Sequence, residues 1–365
     1  MRPRSRRLLL GGRRVRYLFN ADFPRYPDQG PPLTSPLQAV PGPGSLGLPT
    51  ASDWKLAAGA LQTVVSGNKT AHMLGGSPIV RADSAGVAVL SEYGVVPAGV
   101  WHLLAGFLRT SIDYAGNADN EDSLWINTSY QLQVATGGAL GAQLGVTPSA
   151  GELYGVVLRP LGAFYIGSGE LLWVEDGTST ASLYPALNHT TTTSTTTKAR
   201  LIDLPGSGYR VWSEQYGIAA SRSTNPPAGH TQAAPDDQLT FLRNITLPAT
   251  GGYVKVILRK QDNLDYVILE FNYLGDVNLK HFVGGVEKTL IGGVGLVTSG
   301  DDIAVRLNGS DGKLWAGSTL VGTNTGVSTF PGHCEVTVLN TGGAIGSLEV
   351  YPVDLRRYLP KEAWK

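Results

Sequence analysis

The sequence predicts an all-β protein of two antiparallel β-sandwiches with an extended N-terminal arm and a short C-terminal tail, on four observations. At 365 residues the chain exceeds one ordinary domain, and its 42% hydrophobic content suffices for two cores. Charged residues make up 16%, below the roughly 25% of an average globular protein. The 47 glycines and abundant Thr, Ser and Val favour short strands joined by turns. Beyond residue 50, apolar pieces of roughly four to eight residues alternate with Gly, Asn, Asp or Pro, the spacing of sandwiches and barrels.

Residues 1–16 read as a basic arm, with Arg2, Arg4, Arg6, Arg7, Arg13, Arg14 and Arg16 around one apolar cluster, Leu8 to Leu10. Like charges repel and so little apolar surface cannot nucleate a fold, so the arm is expected to dock on a partner. The net charge of zero argues against nucleic acid as that partner. SRRLLLGG (5–12) looks like the opening of an export signal, but its three-residue apolar run falls short of the roughly 7–15 required. No signal peptide is expected, and no run approaches the ~20 apolar residues of a membrane helix. Residues 17–50 grow dense in Pro and Gly, so they should join the first sandwich in extended form.

The first sandwich is placed at 51–205. Within it, DWKLAAGALQTVV (53–65) and VWHLLAGFLRT (100–110) have apolar spacings a short helix could also use, but Gly59 and Gly106 tip the reading to strands. The tract NHTTTTSTTTKAR (188–200) suits a linker or an exposed strand edge. It leads into RLIDL, read as the closing strand of this domain, with a boundary at Pro205 to Gly208. The second sandwich is placed at 206–355 and the tail at 356–365. An internal repeat supports two domains of one kind. YGVVLRPLGAFYI (154–166) and YVKVILRKQDNLDYVI (253–268) share the order Tyr, Val-rich piece, Leu-Arg, turn, aromatic-led strand. In the second copy, Val254, Val256 and Leu258 alternate with Lys255, Ile257 and Arg259, QDNLD turns the chain, and Glu270 stands without a carboxylate two residues away.

The stretch VKVILRKQDNLDYVILEFNYLGDVNLKHFVGGVEKTL resembles the strand sequence of concanavalin A-like, or laminin G-like, jelly-roll domains. LTSPLQAVPGPGSL (33–46), GVVLRPLGAFYIGSGELLWVEDGTSTASLYPAL (155–187) and LEVYPVDL (348–355) resemble segments of uncharacterised phage and prophage-like virion proteins with such sandwiches. The resemblance implies a jelly-roll fold and a virion origin.

Glucanases of that superfamily set their carboxylates alternately along one strand, so that both reach one concave face. No such run occurs. Glu175 and Asp176 are adjacent and point to opposite faces, and Asp119, Glu121 and Asp122 fall in a loop, so the chain is read as no enzyme. Cys334 alone can form no intrachain disulfide, and the six histidines lack zinc-site spacing. IGGVGLVTSG (291–300) is read as a turn between strands, not a nucleotide loop. Calcium is the one cofactor the sequence leaves open. Asp113, Asp119 and Asp122, with Asn117 and Asn120, gather in DYAGNADNED, and Asp301 and Asp302 in SGDD, neither with EF-hand spacing. Among the aromatics, Trp173 reads as a core or inter-sheet residue, while Trp212, Tyr216 and Tyr273 are candidates for a ligand or interface surface.

The sequence thus favours a non-enzymatic virion structural protein, a capsid-decoration, tail or fibre component assembled in the host cytoplasm. Its arms would hold it to itself and to other virion proteins, and its loops would be available for host attachment. The alternative is a carbohydrate-binding adhesin that recognises host-surface glycans; a glycan hydrolase ranks below both.

Overall fold

The computed structural model describes residues 16–33, 46–75, 77–80, 86–96, 98–159, 162–176, 182–204, 221–330, 335–354 and 359. Among them the strands form four antiparallel sheets of eight, seven, six and six strands. The first sheet runs Glu170–Asp176, Gly162–Gly167, Leu153–Arg159, Gly86–Val95, Thr195–Leu204, Ala60–Thr63, Trp54–Ala57, with Arg16–Asp22 also paired to Thr195–Leu204. The second runs Ala139–Gln143, Leu132–Thr136, Asn120–Ile126, His102–Leu108, Ser182–His189, Lys69–His72, with Ile79–Val80 also on Ser182–His189. These two sheets share one hydrophobic core.

The third sheet runs Ser221–Thr224, Ala344–Pro352, Gln238–Thr246, Ile303–Asn308, Asp311–Ala316, Thr319–Asn324. The fourth runs Thr231–Ala233, Glu335–Thr341, Tyr253–Lys260, Tyr266–Asn272, Val277–Val283, Val286–Gly293. Together they enclose a second core. The protein is therefore the predicted pair of antiparallel β-sandwiches.

Both segments of ambiguous period are strands. Residues 53–65 form the hairpin Trp54–Ala57/Ala60–Thr63, turned by Ala58 and Gly59 at φ 51° and 73°, the positive pair that a tight two-residue turn requires. Residues 100–110 contain His102–Leu108, where a Cβ on Gly106 would lie 2.4 Å from Cβ of Ser123 on the neighbouring strand. The two repeat segments are both antiparallel hairpins. In the second, Arg259 is buried and its guanidinium donates to the carbonyls of Asp236, Gly309 and Ser328 and to Asp237, so the Leu-Arg motif pins three loops to one strand. Asp262 accepts from the amides of Leu264 and Asp265 within the turn, as its position implies, and Glu270 pairs with Lys280 and Lys255.

Of the predicted basic arm, Arg16 alone is described; it opens the strand Arg16–Asp22, opposite Asp203. Arg2, Arg4, Arg6, Arg7, Arg13 and Arg14 lie outside the described residues, as does most of the tail, whose Leu359 is buried in the first core.

The third sheet has no solvent face at its centre. Leu242, Ile303, Val305, Leu314, Leu348 and Val350 point into the second core. The alternate residues Leu239, Phe241, Ala304, Trp315 and Tyr351 belong to the core of the first sandwich. Trp173 meets Phe241 and Trp315 edge-on at centroid distances of 4.9 and 5.2 Å, and Tyr351 meets both Phe164 and Phe241 at 6.0 Å. Polar groups at this seam are bonded across it. Trp315 Nε1 donates to Gln143 O, Arg306 Nε to Leu171 O, and Leu171 N to Val353 O.

Three histidines are buried in the first sandwich. His189 stacks between Trp54 and His102 at 5.1 and 5.3 Å, and the Nδ1 atoms of His102 and His189 have no partner among the described residues. Burial lowers all three pKa values, that of His102 to about 3, with the His102 charge also depressing His189.

Two expectations follow. Trp315→Ala removes the centre of the seam and should cost about 3–5 kcal/mol in denaturant unfolding; a loss below ~1 kcal/mol would show that the seam contributes little. The histidines are neutral in the folded chain, whereas the unfolded chain takes up protons near 6.5. Stability should therefore be complete above that pH and fall as the pH drops toward 3, by about 2 kcal/mol at pH 5 for His102 alone. Urea midpoints at pH 7.5 and 5.0 read this out, and His102→Phe should shrink the difference while leaving the part due to His72 and His189.

A candidate ligand cleft between the sandwiches

At one end of the seam the two sandwiches separate into a cleft of about 300 Å³. That is the lower end of the ~300–1,000 Å³ of small-molecule sites. Strand Glu170–Asp176 brings Trp173 and Glu175, two residues apart and so on one face; strand Gln238–Thr246 brings Phe241 and Arg243 in the same way. Ala304 completes the buried floor, and residues 300–302 and the turn at 317–318 form the rim. Backbone bonds set the rim. Gly300 N donates to Ile245 O, Ile245 N to Asp301 O, and Gly317 N to Asp302 O.

Arg243 organises the polar wall. Its guanidinium carbon lies 3.9 Å from the Phe241 ring centroid, and its three nitrogens donate to Glu349 Oε2 (3.3 Å), Asp302 Oδ2 (2.9 Å) and Val174 O (3.1 Å). Burial works against this charge, but Glu349 and Asp302 more than offset it, so the pKa is raised. Glu349 is fully buried and also meets Arg222 at 3.1 Å; Arg222 reaches Asp176 as well, at 3.1 Å. Glu175 accepts from Trp173 Nε1 at 2.7 Å. Burial raises its pKa, the indole N–H and Arg243 oppose that, and Asp122 and Asp302 reinforce it. The cleft thus combines an aromatic floor, carboxylate acceptors and an exposed hydroxyl, Ser318, at the rim.

The calcium candidates are not assembled. Asp113 holds Lys69 and the amide of Thr70, Asp119 caps the amides of Ala115 and Gly116, and Asp122 accepts from Thr136 and Tyr165. Among the described residues no three His, Cys, Asp or Glu side chains gather to hold a metal. Trp212 and Tyr216 lie outside the described residues, and Tyr273 sits half-buried in the turn after strand Tyr266–Asn272, apart from the cleft lining. Of the cleft residues, sequence reasoning singled out Trp173, Glu175, Asp301 and Asp302 for separate reasons and missed Arg243, Phe241 and Ser318. The signal for two of these was present in LTFLRNI. Leu239, Phe241 and Leu242 make both faces of that strand apolar, which requires cover on both sides.

No protein-family model matches the sequence, and no curated protein matches it. Among solved structures, the chain is similar to the galectin LEC-6 of Caenorhabditis elegans, at 12% identity over 36% of this chain and 95% of that one, with a TM-score of 0.31. It is similar to the LG4-5 domains of the mouse laminin alpha1 chain, at 11% identity over 81% and 89%, with a TM-score of 0.25. It is also similar to the carbohydrate-binding module CBM66 of Bacillus subtilis, at 12% over 37% and 84%, with a TM-score of 0.24. At these scores the likenesses carry no argument about the cleft.

Two substitutions test its electrostatics. A carboxylate with a raised pKa contributes most below its unfolded value and loses that contribution as pH rises through the folded one. Glu175→Gln should therefore raise the melting temperature at pH 7 and change it little near pH 4. Arg243→Met leaves buried Glu349 with half-exposed Arg222 as its remaining described cation, beside the hydroxyls of Ser347 and Tyr351, and should cost about 3–5 kcal/mol, read by denaturant unfolding.

Proposed function

We propose that this is a non-catalytic carbohydrate-binding protein whose site is the cleft between its two sandwiches. The observation that supports this most directly is the convergence of Trp173, Phe241, Glu175, Asp301, Asp302 and Ser318 on one small concavity. A sugar presents a rim of hydroxyls that the carboxylates and Ser318 complement, over a base of Trp173 and Phe241 that gives the cleft its shape, Phe241 being covered by the Arg243 guanidinium. Binding without turnover fits the carboxylates. Both oxygens of Asp302 are committed, to Arg243 and to the amide of Asn244, and one oxygen of Asp301 is held by the amide and hydroxyl of Thr298.

A glycan array followed by calorimetry tests this. A saccharide should bind specifically and without hydrolysis, and Ser318→Trp, which fills the cleft from an exposed turn, should abolish binding while the melting temperature holds. No binding across a broad panel would sink the reading, as would binding that survives Ser318→Trp.

A second reading, assembly as a virion structural subunit, is favoured by one observation besides the sequence resemblance. Leu264, Val283 and Val286, 57, 49 and 71% exposed, flank one end of the edge hairpin Val277–Val283/Val286–Gly293, and exposed apolar surface of that kind marks contact sites. The native mass of the purified protein discriminates. A ring, trimer or filament supports assembly, and a strict monomer removes it.

A further inference from the structure

We infer that the cleft is selective for cationic amino sugars and excludes sugar acids, an inference that rests on the carbohydrate reading above. The balance of donors and acceptors carries it. Three carboxylates line the cleft, Glu175, Asp301 and Asp302, against one cation, Arg243. Every nitrogen of that cation already donates to protein oxygen, at Glu349, Asp302 and Val174. The indole N–H of Trp173 is taken up by Glu175, and the rim amides of Gly300 and Gly317 by Ile245 and Asp302. Arg222 is not among the lining residues and is held by Asp176 and Glu349. Among the described lining side chains, the donors left are the Ser318 hydroxyl and the second N–H on each terminal nitrogen of Arg243.

The acceptors are in surplus. Glu175 Oε2 and Asp301 Oδ1 receive no hydrogen bond from a described residue, while their partner oxygens are occupied. An incoming carboxylate would meet three carboxylates and one guanidinium already paired with Glu349 and Asp302, so like charge outweighs the pairing it could gain. An ammonium or a donor-rich hydroxyl edge would instead satisfy the free oxygens and neutralise part of the charge that burial makes costly at Glu175.

Calorimetry at pH 6.5 with three oligomers of equal length tests this: glucosamine, N-acetylglucosamine and galacturonate. Glucosamine should bind at least tenfold more tightly than its N-acetylated counterpart, lose that advantage in high salt, and lose most of it in Glu175→Gln. Galacturonate should not bind. Equal or tighter binding of galacturonate would overturn the inference, as would an ammonium advantage unchanged in Glu175→Gln; in either case the carbohydrate reading would survive. Failure of all three to bind, together with an empty glycan array, would overturn both.

Discussion

The third sheet is buried on both faces, and the rest of the molecule depends on that. An antiparallel sheet of a free sandwich shows one face to solvent, and its strands alternate apolar and polar. Here strand Gln238–Thr246 sends Leu242 into its own core and Leu239 and Phe241 into that of its neighbour, and strand Asp311–Ala316 divides Leu314 and Trp315 in the same way. The aromatic layer of Phe164, Trp173, Phe241, Trp315 and Tyr351 therefore belongs to neither sandwich alone. Each ring buried there adds roughly 1.5–3 kcal/mol of apolar transfer, and edge-to-face pairs about 0.5–1.5 more. Contacts of this kind tie the end of the seam to both cores.

Polar groups trapped at such a seam must find partners across it. Lys313 illustrates the demand: burial and the charge of Arg306 lower its pKa to about 8, and its ammonium donates to the carbonyls of Leu144 and Gly145 on the first sandwich. Arg306 pairs with Glu170, which also takes the side-chain amide of Asn308. Arg243 does the same work nearer solvent, but its partners, Glu349 and Asp302, bring more negative charge than it supplies. The excess acceptor character of the cleft is thus a by-product of stabilising the seam, which makes it a property of the fold as much as of any ligand.

The period of two made much of this legible. Alternation along 253–272 placed the hairpin, its polar turn and the isolation of Glu270 from other carboxylates on its strand. The glycines at 59 and 106 tipped two ambiguous segments towards strands, for reasons the structure makes concrete: one supplies a positive φ and the other a close strand approach. Trp173 was legible as a packed residue because ELLWVED is apolar on both sides. The cleft was not legible as a unit, because Glu175, Arg243 and Asp302 are separated by 68 and 59 residues and only the mutual burial of two domains joins them. The segment DYAGNADNED shows the limit of a one-dimensional cluster. Glu121 and Asp122, expected in a loop, lie in the strand Asn120–Ile126, and Asp113, Asp119 and Asp122 each accept from a different donor: the amide of Thr70, the amides of Ala115 and Gly116, and the hydroxyl of Thr136.

Strand Glu170–Asp176 shows how a structural seam becomes a site. At Leu171 it is hydrogen-bonded to Val353 of the second sandwich, and at Trp173 it is packed against Phe241 and Trp315 with its indole 3% exposed. Two residues on, Glu175 meets the cleft, and Asp176 reaches Arg222 from an exposed position. Over roughly 20 Å of extended chain, one strand passes from dry contact to solvent. A ligand bound at that transition, as proposed above, would touch residues of both sandwiches at once, so its binding energy would add to the adhesion between them, and a substitution deep in the seam would alter affinity without touching the ligand.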